Sequence, residues 1–197
     1  MMRSLAIHTA HGSLHGHLDL PAQAKRLILL AHTRQTPVDT IITAHLAARG
    51  NAILGIELLT PQEARFVDAS QNIPRLTQHL LATLDLIRQD SEMQPLPLAI
   101  FSSGDATPAV IRAAAQRDAQ IKVIAAHGGI IDRAGLQALK FLAAPLMMLF
   151  DADDPVGQLA YKRATPHLGC SHEMHLLKAG EDPVIRVAAW FSLHSGR

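Results

Sequence analysis

Apolar positions along the chain fall into short unbroken runs that alternate with longer, spaced patterns. The runs read as strands. "RLILLAH", "NAILGIEL", Leu98 to Phe101, "IKVIAAHGG" and "APLMMLFDADDPV" are apolar stretches that end in polar or small residues, the pattern of strands covered on both faces. Ahead of them stand the short "LAIH" and the alternating "SLHGHLDLP", which stops at Pro21 and predicts an edge pair. A further strand, "HEMHLLKA", lies near the end.

The spaced patterns read as helices. "TPVDTIITAHLAARG" opens with Thr36 as a cap, places Pro37 at the first helical position and ends at Gly50. "PRLTQHLLATLDLIRQD" carries apolar residues at 76, 80, 81, 84 and 87, one helical face. Further helices are predicted from about Thr107 to Arg117, at "AGLQALKFL", at "PVGQLAYKRATPH" and at "DPVIRVAAWFSLH". "LLTPQEARFVDASQNIP" reads as a loop with a helical turn. Strands alternating with helices predict one α/β domain over 1–197. Its sheet is expected to be mainly parallel, of about seven strands, with the first two antiparallel at one edge and helices on both faces. Ligands bind such sheets at the carboxyl ends of the strands. Those ends carry His32 and Thr33, Glu57, Ser102 to Asp105, His127, Asp151 to Asp154, and Ala179 to Asp182.

Composition narrows the function classes. Apolar residues make up 48% and charged residues 18% of the 197, which suits a folded core rather than a disordered chain. Lys plus Arg number 18 against 17 Asp plus Glu, with no basic block, so no nucleic-acid partner is expected. One cysteine, Cys170, excludes an internal disulfide and fits a reducing cytoplasm. No apolar run approaches the ~18 residues of a membrane span, and the start lacks a signal-type apolar core. The twelve histidines are scattered. His11, His15 and His17 have no Cys or carboxylate at ligand spacing, and His172 and His175 point to opposite faces of a strand, so no metal and no cofactor is predicted. Asp151, Asp153 and Asp154 can in principle hold a divalent cation, but such a cluster more often solvates a loop and caps the next helix.

One stretch carries the chemistry. "LPLAIFSSGDATPAVIRAAAQ" reads strand, sharp turn, helix, with Gly104 between the small residues Ser102 and Ala106. This chain resembles the α/β-hydrolase superfamily, within it the dienelactone-hydrolase-like branch, over nearly its whole length. "LILLAHTRQTP" is similar to that family's strand and oxyanion loop. "GIELLTPQEARFVDASQNIPRLTQHLLATLDLI" is similar to its "DLLT-x-EE" strand, loop and helix. "FSSGDATPAVIRAAA" aligns with a nucleophile elbow, "APLMMLFDADDPV" with the strand and loop of the triad acid, "HEMHLLKAGEDP" with the strand and loop of the catalytic histidine, and "VAAWFSLH" with the C-terminal helix.

The resemblance implies an α/β-hydrolase fold and, for an active member, dienelactone-hydrolase or esterase chemistry. That chemistry needs a nucleophile, a base and an orienting acid. The family serine falls on Gly104, which has no side chain to attack with. The family histidine falls on Glu181 or Asp182. Only the acid keeps its type, as Asp153 or Asp154. Thr33 stands where the family has glycine. Two functions follow. One is a binding or interaction module without triad catalysis, with His32, Thr33, Glu57 and His127 lining its site. Its expected partner is a small molecule, a protein or a second copy of the chain. The other is a carboxylic-ester hydrolase with a rearranged centre built on Asp105 or Ser103. Asp105 has a plainer reading as a capping-region carboxylate of the following helix.

Overall fold

The computed structural model describes residues 2–194. Met1 and residues 195–197, the ends of the domain expected over 1–197, lie outside the described residues. Eight strands form one sheet: β1 (Met2–Thr9), β2 (Gly12–Asp19), β3 (Leu27–His32), β4 (Ala52–Glu57), β5 (Leu98–Ser103), β6 (Ile121–His127), β7 (Leu146–Asp151) and β8 (His172–Leu177). Their order is β1-β2-β4-β3-β5-β6-β7-β8. β2 pairs antiparallel with both β1 and β4, and every other pairing is parallel. The pattern predicted about seven strands; both edges turn out to carry full ones. "LAIH" grows to Met2–Thr9 because all eight residues find partners on β2.

Six helices connect the strands: α1 (Pro37–Ala48), α2 (Ile73–Gln89), α3 (Ala106–Gln116), α4 (Leu136–Phe141), α5 (Pro155–Ala164) and α6 (Pro183–Leu193). Four begin by one device, a capping side chain followed by proline in the first turn. In α1 the device is a full capping box. Asp39 N–H donates to Thr36 Oγ1 at 3.2 Å, and Thr36 N–H donates to Asp39 Oδ2 at 2.7 Å. Asn72, Asp154 and Asp182 cap α2, α5 and α6 by accepting from backbone N–H groups.

The sheet is covered on both faces, but unevenly. One face packs β-strand residues such as Leu29, Leu54, Ile100, Ile124 and Met148 against α2, α3 and α5. The opposite face packs Ile28, Leu30, Phe101, Val123 and Leu149 against α1 and α6, where Trp190 Nε1 donates to Ile124 O at 2.9 Å. Burying each large apolar side chain contributes about 1.5–3 kcal/mol. α1 and α6 do not reach across the β1–β2 hairpin, so His15 and His17 stand exposed on that face. No helix among the described residues is long and apolar enough to cross a membrane.

Candidate functional site

The sharp turn after β5 is a true elbow. Gly104 sits at φ +54, in the left-handed region that a residue with a Cβ enters only at a cost. Its N–H donates to His127 O at 3.0 Å, and its own carbonyl accepts from Thr107 N at 3.1 Å. The turn at the end of β6 closes tightly over it. A Cβ on Gly129 would stand 2.6 Å from Gly104 O and 2.8 Å from Thr107 Cβ, so only glycine fits there. A Cβ on Gly104 itself would meet nothing within 4 Å. The socket for a nucleophile is therefore open, exposed and empty of a side chain.

Its neighbours are engaged otherwise. Ser103 is buried, and its hydroxyl donates to Asp39 Oδ2 at 3.3 Å. Ser102 donates to Thr107 Oγ1 at 3.2 Å, and Thr107 donates on to Gly128 O at 3.1 Å. Asp105 stands at the N-cap position of α3, in the expected capping region, but its side chain makes no cap hydrogen bond. Its Oδ2 instead accepts from Ser70 Oγ at 2.6 Å, which ties the loop after β4 to the elbow.

Where the histidine of a hydrolase triad is expected, the residues are consumed by structure. Glu181 Oε1 accepts from His175 Nε2 at 2.7 Å and from Arg186 Nε at 3.3 Å, and Oε2 accepts from Lys178 N at 3.1 Å. The Lys178 N–H, with His175 and Arg186, holds its carboxyl down to about 2. Asp182 caps α6 by accepting from Val184 N at 2.9 Å. His172 opens β8 at the amino end, away from the elbow, and its Nδ1 lies 2.9 Å from Cys170 O. Burial pushes the Cys170 thiol up to about 11, which keeps it unreactive.

The acidic loop after β7 sorts its three carboxylates. Asp154 accepts from Gly157 N at 2.9 Å as the cap of α5. Asp153 is exposed. Asp151, at the end of β7, places Oδ2 3.0 Å from His127 Nε2, although the pair is not aligned as a hydrogen bond. Among the described residues no group of three His, Cys, Asp or Glu side chains is placed to hold a metal. His11 turns toward His79, ring centroids 6.5 Å apart, on the face opposite His15.

Strand register gathers the polar ends into a row on the face of α1 and α6. Glu57 pairs with His32, and Ser103 pairs with His127, whose imidazole meets Asp151. His32 is half-buried, and burial pushes its pKa down against the pull of Asp39 and Glu57, so it is neutral at neutral pH. Thr33 is half-buried in the loop just past it. Sequence reasoning missed Asp39 and Ser70 as members of this site, and placed Asp151 at a strand end without its His127 partner. The box "TPVD" signals a buried carboxylate at the third helical position and could have revealed Asp39. No local pattern signals Ser70, which acts across 35 residues.

This geometry matches solved structures. The fold superposes on a dienelactone hydrolase from Anabaena variabilis with a TM-score of 0.86, at 22% identity over 98% of both chains. It also matches the esterase Est1E from Butyrivibrio proteoclasticus, TM-score 0.75, at 12% identity over 98% of both chains. The chain thus has the α/β-hydrolase fold in its dienelactone-hydrolase-like form. No protein-family model matches the chain. Among curated proteins it is 26% identical over 145 residues to a Mycobacterium tuberculosis protein named "Putative phosphoribosyl transferase"; the match takes in 72% of this chain and 32% of that protein. The chain thus spans about a third of the length of the curated relatives it matches.

Proposed function

We propose that this protein is a binding or interaction module on a hydrolase scaffold, without Ser-His-Asp catalysis. The observation that carries the reading is the pair of absences at the two bond-making positions. Gly104 occupies the elbow at φ +54 with open space where a nucleophile would project. At the other position Glu181 is bound by His175, Arg186 and the Lys178 N–H. Members of a triad act as a unit, so restoring one alone gains little. The proposed partner is a small molecule or a protein, a second copy of the chain included, in a reducing cytoplasm that suits one buried thiol. The transferase name belongs to a protein of which only 32% is matched and is not carried over.

The test is turnover of p-nitrophenyl esters with a serine-directed phosphonate probe. The unmodified protein and Gly104→Ser stay at background, and Gly104→Ser with Glu181→His is the version expected to gain weak turnover. A second reading, an esterase with a rearranged centre, draws on the register of Ser103 beside His127 and of His127 beside Asp151. Against it, Ser103 is 6% exposed and donates its proton to Asp39. Ester turnover by the unmodified protein, abolished by Ser103→Ala or Asp105→Asn, establishes that second reading and overturns the first.

A further inference from the structure

The uneven cover of the sheet leaves a groove of about 530 Å³ beside α1. That volume falls within the roughly 300–1,000 Å³ of small-molecule sites. Thr43 and Ala47 of α1 form one wall, and the β1–β2 hairpin forms the other with Ser4, His15 and His17. None of Ser103, Gly104 and Asp105 lines it, so the groove is distinct from the empty elbow.

Its floor is apolar. Leu30 and Ile53 supply it, and both are buried. Gly55 keeps it open: a Cβ there would meet only His17 O, at 4.0 Å. The open space over Gly55, where no side chain projects, suits a planar ring. The polar groups converge at one end, where Glu57 and His32 stand side by side in register, with Gln35 in the loop beyond.

The charge of the lining is one-sided. Glu57 is exposed, and its carboxylate has no hydrogen-bond or ion-pair partner among the described residues. The one Arg or Lys among the lining residues, Arg3, is committed elsewhere: its guanidinium reaches Asp90 at 2.6 Å and Glu92 at 3.0 Å. His32 is held neutral by its half-buried position and so does not offset Glu57 at neutral pH. A cation entering this end gains attraction, and a carboxylate or phosphate is repelled.

We propose that the groove binds a small aromatic cation, an arylmethyl amine or aryl amidine, with its ring over Gly55 and its charged nitrogen on Glu57. The proposal deepens the binding reading above by naming the ligand class and the place. Benzamidine is the probe, benzoate the anionic control, and histidine imidazole resonances of the intact chain the readout. Benzamidine produces saturable shifts at His15, His17 and His32, at least tenfold tighter than benzoate. Glu57→Gln weakens the binding about tenfold. Gly55→Leu abolishes it, with the thermal melt showing the fold retained. If Gly55→Leu fails to fold, Glu57→Gln decides alone. Absence of saturation by about 10 mM benzamidine, shifts centred on the Gly104 turn, or equal binding of benzoate overturns the proposal. The ester assay separates this failure from that of the reading beneath it. No binding with no turnover sinks the groove only, and turnover with binding sinks the non-catalytic role only.

Discussion

The β5–α3 turn and the β8–α6 turn lie at the same carboxyl end of the sheet and use their side chains in opposite ways. At the first, the backbone forms an elbow with a glycine at its tip: φ is +54, the N–H is tied to His127 O, and the space above is open. At the second, charged side chains are present and all are spent on the turn itself, Glu181 on His175, Arg186 and Lys178 N, and Asp182 on α6. The difference teaches that an elbow is held by its surroundings, not by its nucleophile. Glycine satisfies the same dihedral at lower cost, so nothing forces the geometry to relax when the nucleophile is absent. The surface turn after β8 uses its side chains for caps and ion pairs.

The largest expected effect breaks the elbow from outside. Gly129→Ala sets a Cβ against Gly104 O and Thr107 at a φ of +111 and should cost about 3 kcal/mol in chemical denaturation. An unchanged midpoint would mean that the elbow is not held by its neighbour. Next, Gly104→Ser has room but must adopt positive φ, so the loss should be about 1 kcal/mol, with ester turnover still at background. A gain in stability would show that the turn was not strained. Smaller still, Asp105→Asn loses only the exposed contact with Ser70 and should change stability by no more than about 0.5 kcal/mol. A larger loss would make Asp105 a structural anchor of the loop after β4.

The smallest effect tests the other turn through pH. The Glu181 carboxyl is lowered from an ordinary 4.5 to about 2, chiefly by the Lys178 N–H and His175. A group whose pKa is lowered by folding contributes its full stability above the unfolded value and loses it as pH falls through the folded one. Acid unfolding of the parent between about pH 4.5 and 2 should therefore be steeper than that of Glu181→Gln. Superimposable acid profiles would show that the turn does not rely on this carboxylate.

Much of this was legible in the chain. The unbroken runs at 27–31, 98–101 and 123–126 mark central strands because the middle of a strand buried on both faces favours apolar residues throughout, and the caps with proline mark helix starts because they satisfy free N–H groups locally. Gly104 at the elbow followed from the small residues around it and from the resemblance. These signals are local, and local backbone chemistry sets them. What the tertiary structure alone decided is which side chains meet. Ser103 donates to Asp39 across 64 residues, Ser70 reaches Asp105 across 35, and His127 finds Asp151 rather than Asp153 or Asp154. Those partners depend on strand order and register, where one residue of slip turns every side chain to the other face. The groove beside α1 has the same origin, since no stretch of sequence states where a helix stops short of covering its sheet.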